Sequence, residues 1–304
     1  MGKILNRTRG QKILFLALIV LCLLLPESGQ AQPAGKVQEG LTFSSQILGQ
    51  EVRYTVYLPP DYDTSNRRYP VVYLLHGYTD NDMAWVQFGQ VNLIVDRAIA
   101  CGELPPIIIV MPDGGVSWYI NDYQGKVRYE DMFCQELIPY IDSNYRTRAA
   151  REFRGVAGLS MGGWGTLIYA LRHPDLFAAA AAFSAAVWTD EEIIATDDKT
   201  YEQIFARLYG PGLKGRERLT PHFQSYNPLQ LVKTLPVDKI KQVRFYLDCG
   251  DDDFLYKGNA ALHLAMRDRK IPHEARMRDG GHTWSYWRTG ILHGLKFIST
   301  SFSR

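Results

Sequence analysis

Apolar and polar positions change rhythm three times along this chain. Gly40 to Leu48 and Glu51 to Leu58 each alternate apolar and polar residues, with Gly49-Gln50 between them. Period-two alternation marks half-buried strands, so the pair predicts an antiparallel hairpin at a sheet edge. Pro59-Pro60 and a polar stretch to Arg68 end that pattern. From Tyr69 the character differs: Val71 to Leu75 and Ile107 to Met111 are unbroken apolar runs, as expected of strands covered on both faces. Helical spacing over Val91 to Ala100 separates them. A second helix is predicted over Tyr129 to Tyr145, with Phe133, Leu137, Ile138 and Ile141 on one face and Pro139 predicting a kink or break. Phe153–Ala157, Phe177–Phe183, Val243–Asp248 and His273–Met277 read as further strands. This alternation predicts an α/β fold with a doubly wound, mostly parallel sheet and helices on both faces. Ala185 to Pro236 breaks it, being rich in charge with Pro211, Gly212, Gly215 and Pro221. It reads as a helical excursion over the site, inside one domain spanning residues 40–304.

The N-terminus follows a different logic. Lys3, Arg7, Arg9 and Lys12 precede an apolar run from Ile13 to Leu25, too short to span a bilayer comfortably. Gly29 and Ala31 then supply small residues at the −3 and −1 positions of a cleavage site. Residues 1–31 therefore read as a signal peptide, and 32–39 as a polar leader. The expectation is a secreted or periplasmic protein with no stable membrane span after cleavage. A formal net charge of +2, without a basic stripe elsewhere, argues against a nucleic-acid partner. Cys101, Cys134 and Cys249 remain beyond the signal, an odd number for an exported chain. Cys101 and Cys134 are a possible pair, and Cys249, closing a predicted strand, reads as a packed thiol. No Cys-x-x-Cys or His-x-x-x-His spacing suggests a metal site.

Candidate chemistry concentrates in Gly158-Leu-Ser160-Met-Gly162, between a predicted strand and a predicted helix. A turn this tight forces its central residue into unfavourable backbone angles and needs small neighbours two positions away. Ser160 would then project above the sheet near a helix N-terminus. A serine hydroxyl is a weak nucleophile, so a neutral imidazole must take its proton during attack. His282, just past the last predicted strand and after Gly280-Gly281, is the best-placed histidine. An acid should orient that imidazole, and Asp251, Asp252 and Asp253 stand in a row past the preceding strand. The chain order serine, acid, histidine suits an elbow serine. Oxyanion stabilisation calls for two backbone N–H donors, for which Met161 and Tyr78 are the candidates. The side chain of His76 is expected to pin the Tyr78 loop. Trp85, Trp118, Tyr119, Tyr123 and Trp188 fall near predicted strand ends, where flat side chains could line a substrate pocket. Trp284 and Trp287 read as packing for the C-terminal helix.

Tyr57-Leu-Pro-Pro60, Tyr69 to Gly77, Trp85, Met111-Pro-Asp-Gly114 and Leu137 to Asp142 carry a family resemblance. Gly158 to Gly163, Cys249-Gly-x-x-Asp253 and Gly281-His-x-Trp284 are its most specific motifs. Over about residues 40–300 the chain resembles the esterase D and feruloyl-esterase branch of the α/β-hydrolases, and more distantly the mycolyltransferase antigens. The resemblance implies that Asp253, three residues after the glycine of Cys-Gly, is the acid. It also implies acyl-ester substrates, an acyl-serine intermediate and no cofactor. The expected function is an exported serine esterase acting on short acyl or hydroxycinnamoyl esters, free or polysaccharide-linked. An acyltransferase to a sugar or lipid hydroxyl is the alternative, and a non-catalytic binding module the third reading.

Overall fold

A computed structural model describes residues 34–302. The predicted signal peptide lies outside the described residues. Eight strands form one sheet in the order β1-β2-β4-β3-β5-β6-β7-β8. They are β1 Lys36–Ser45, β2 Gln50–Leu58, β3 Val71–Leu75, β4 Ile108–Pro112, β5 Arg154–Leu159, β6 Ala179–Phe183, β7 Arg244–Gly250 and β8 His273–Arg278. The β1–β2 and β2–β4 pairs are antiparallel and the remaining pairs parallel. The expected edge hairpin is thus present, and β3 to β8 all end on the same side of the sheet.

Alternation along each strand divides the core in two. Val71, Tyr73 and Leu75 of β3 pack on one face with helix α2 (Met161–Arg172) and helix α3 (Tyr256–Asp268). Val72 and Leu74 pack on the other with helix α1 (Val91–Ala100) and helix α4 (Trp284–Ser299). Strands buried on both sides explain the unbroken apolar runs. The segment between β6 and β7 forms short helices, including Asp190–Ala195, Asp198–Ile204, Pro221–Tyr226 and Pro228–Thr234. Ile193, Tyr201, Phe205 and Phe223 from it join the α2–α3 core.

Four expectations need correction. The leader of residues 32–39 overlaps β1: Lys36, Val37 and Gln38 pair with Leu58, Tyr57 and Val56. Ladder hydrogen bonds use the backbone, so polar side chains do not exclude a strand, and a bulge between Gln38 and Leu41 absorbs the broken alternation. At its other end β1 stops at Ser45, not Leu48, because Glu136 accepts hydrogen bonds from the Gln46 and Ile47 N–H groups, each at 3.0 Å. Pro139 does not end its helix; it follows a π-helical turn, Phe133–Leu137, which continues into Ile138–Asn144. A proline lacks the N–H that an α-helical turn requires, and the wider turn accommodates the missing bond. Cys101 and Cys134 are free, so the possible pairing is not made. Burial pushes the Cys249 thiol up to about 12, which keeps it protonated and inert.

Candidate active site

Ser160 sits between β5 and α2 at φ 53° and ψ −118°. For a residue with a Cβ this is strained backbone, and the surroundings hold it there. The Ser160 N–H donates to the Phe183 carbonyl at 2.9 Å, and its carbonyl accepts from Ala186 N–H at 3.0 Å. A methyl group on Gly158 would lie 2.5 Å from the Gly162 carbonyl oxygen, and one on Gly162 would lie 2.6 Å from the His76 carbonyl oxygen. Both positions therefore require glycine, and the turn closes as tightly as the motif implied.

His282 and Asp253 reach the elbow from two other loops. His282 Nε2 lies 3.0 Å from Ser160 Oγ, and Nδ1 lies 2.8 Å from Asp253 Oδ2. A carboxylate facing Nδ1 holds the imidazole proton there, leaving the Nε2 lone pair for the serine hydroxyl. The Asp253 side chain is fully buried, whereas that of His282 keeps a fifth of its surface exposed. Burial raises the Asp253 pKa, but hydrogen bonds from His282 and the Leu255 N–H, together with the neighbouring Ser184 hydroxyl, outweigh it and leave it lowered. The lowered value favours the ionised carboxylate. Asp251 Oδ1 instead accepts from the Gly280 N–H at 3.0 Å, tying the acid loop to the histidine loop. Asp252 is exposed, and Asp248 is buried within β7 against Arg278 and Tyr286.

The loop after β3 lies against the elbow. A methyl group on Gly77 would sit 3.7 Å from Ser160 Cβ. Buried His76 pins this loop: Nε2 accepts the Gly114 N–H at 2.8 Å, and Nδ1–H donates to the Gly77 carbonyl at 2.7 Å. Those two partners select the neutral Nδ1–H tautomer. As the first residue of α2, Met161 has an N–H with no intrahelical acceptor. The Tyr78 N–H has no protein acceptor among the described residues.

The predicted aromatic pocket is largely redirected into the core. Trp85 is 1% exposed and Tyr119 fully buried, so neither lines an open surface. Trp85 donates its indole N–H to the Leu75 carbonyl at 2.9 Å, and Tyr119 donates its hydroxyl to the His76 carbonyl at 3.1 Å. An apolar body with one polar handle is what a strand-end carbonyl needs, and the sequence signal is the same as for a pocket. Trp118 is buried too, packed against Trp164, Trp188 and Phe205. Only Trp188, half-buried, and Tyr123, exposed, keep accessible surface. A groove of about 380 Å³ between Gln50–Arg53 and Asp113–Ser117 includes none of the three residues at the elbow.

Sequence reading missed the groups around His282. Phe254 packs on the imidazole with ring centroids 4.6 Å apart, and Trp287 approaches edge-on at 4.8 Å. Trp287 also donates its indole N–H to Ser184 Oγ at 3.1 Å. The position of Phe254 directly after Asp253 was the available signal; its orientation was not legible.

A serine on a strand–helix elbow in a mostly parallel sheet, hydrogen-bonded to a histidine that meets an aspartate, in the chain order serine, aspartate, histidine, defines an α/β-hydrolase. The chain belongs to the esterase family, whose model, described as "Putative esterase", matches residues 45–298. It is 37% identical over 182 residues to an endo-1,4-beta-xylanase/feruloyl esterase of Xylanibacter ruminicola, covering 56% of this chain and 24% of that protein. It is 31% identical over 265 residues to an esterase of Mycobacterium tuberculosis, covering 80% and 55%. The chain thus spans about a quarter to about half the length of these curated relatives. An acetyl esterase of Caldicellulosiruptor saccharolyticus is 26% identical, covering 85% of this chain and 97% of that protein. Among solved structures, a ferulic acid esterase superposes with a TM-score of 0.77 at 33% identity, covering 88% of this chain and 99% of that one.

Proposed function

We propose that this chain is an exported serine carboxylic-ester hydrolase, cleaving short acyl or hydroxycinnamoyl esters of small or polysaccharide-linked alcohols. The hydrogen-bonded series Ser160–His282–Asp253 carries the reading. In it, Ser160 Oγ attacks the ester carbonyl while His282 Nε2 takes the hydroxyl proton. The Met161 and Tyr78 N–H groups receive the developing oxyanion, where one lost donor costs roughly 10²–10³ in turnover. The imidazolium, balanced by Asp253, returns its proton to the leaving alcohol as the C–O bond breaks. Water then attacks the acyl-serine with His282 as base, releasing the acid and restoring Ser160. Trp188, half-buried and packed beside Trp164 of α2, is our candidate among the accessible aromatics to meet the acyl group.

Feruloyl and acetyl esterases among the relatives support the acyl class, and the N-terminal pattern supports export. Among the described residues no helix is long and apolar enough to cross a membrane. With p-nitrophenyl acetate, rapid-mixing absorbance should show a nitrophenol burst stoichiometric with enzyme, abolished in Ser160→Ala. A full burst from that variant would remove Ser160 from the mechanism.

A further inference from the structure

We propose that Phe254 is the platform for the alcohol half of the ester, and that this half is a sugar ring; the proposal rests on the hydrolase reading above. Phe254 is 68% exposed, and its ring packs on the His282 imidazole at an interplanar angle of 51°. Trp287 closes the imidazole from another direction, and Ser160 occupies Nε2. The leaving oxygen receives its proton from Nε2, so it must come within hydrogen-bond reach of that atom. The rest of the alcohol then extends past the imidazole, beside which the Phe254 ring stands. The acyl half points elsewhere, because its carbonyl oxygen is drawn to the Met161 and Tyr78 N–H groups.

The chemistry of the platform selects the alcohol. Its ring is open to solvent, and the neighbouring Asp252, Thr283 and Ser285 are exposed and polar. An alkyl chain gains little from one covered face, since its remaining surface stays in water. A sugar ring presents a C–H face to the phenyl group and turns its hydroxyls to water and to the polar rim. Methanol is too small to reach the platform.

The experiment compares methyl and pentose-oligosaccharide esters of the same acid, ferulate or acetate, in wild type, Phe254→Ala, Phe254→Leu and Phe254→Trp. Leucine keeps apolar packing on the imidazole but removes the flat face, and thermal melting checks that each variant folds. The kcat/KM ratio of sugar to methyl ester should fall about fivefold in the alanine and leucine variants, mainly through KM, and hold in the tryptophan variant. An unchanged ratio, including an equal loss on both esters, would overturn the platform and leave Phe254 as packing for His282. If wild type hydrolysed neither ester, or Ser160→Ala hydrolysed both, the hydrolase reading itself would fall.

Discussion

Three consecutive aspartates do three different things within one turn of chain. Asp251 holds two loops together, Asp252 faces water, and Asp253 turns inward to Nδ1 of His282. Asp253→Asn keeps the shape but can present an amide N–H to Nδ1, favouring the wrong imidazole tautomer. We expect kcat to fall about 10⁴-fold. On a methyl ester, too small to reach the Phe254 rim, Asp252→Asn should stay within about threefold of wild type, because exposed Asp252 has no bond to His282. Steady-state kinetics on both variants checks the assignment, and equal losses would reject it. Spacing in the sequence narrowed the acid to this row, but which member turns inward depends on backbone direction. The same limit misplaced Trp85 and Tyr119: an aromatic near a strand end can cap a carbonyl or line a pocket, and the letters are identical.

At the scale of elements, the features legible in advance were those with a single physical solution. Apolar runs flanked by breakers became β3 to β7, and the elbow glycines have no alternative. A Cβ on Gly162 would press on the Leu75 and His76 carbonyl oxygens, so the helix start would have to move away from the β3 loop. Gly162→Ala should therefore destabilise the fold by about 1–3 kcal/mol. It should also depress kcat more than 10²-fold, because small displacements of reacting groups are costly. Thermal melting with kinetics measures both, and full activity in a destabilised protein would separate the elbow from catalysis. The start of β1 and the π turn before Pro139 were not legible. One is set by a backbone ladder to β2, the other by which turn type best absorbs a missing N–H, and neither leaves a side-chain pattern.

Across the whole molecule, the excursion must be held against the sheet while the three loops stay in register, and one buried carboxylate links distant parts of the chain. Glu130, 1% exposed, accepts hydrogen bonds from Arg172 at the end of α2 (2.6 Å) and from the Tyr226 hydroxyl in the excursion (2.6 Å). His173 Nε2 lies 2.8 Å from it. Burial raises its pKa, but His173, Arg172 and Tyr226 outweigh that effect and bring it from 4.5 down to about 2. A carboxylate whose folded pKa is depressed stabilises the fold fully above its unfolded pKa and loses that contribution as pH falls towards the folded value. Glu130→Gln should thus cost about 3 kcal/mol near neutrality, and its deficit against wild type should shrink as pH drops from 4.5 towards about 2. Urea unfolding of both proteins between about pH 6 and about pH 3 follows that gap. A deficit that stayed constant over this range would mean that packing around Glu130, not its charge, ties the excursion to α2.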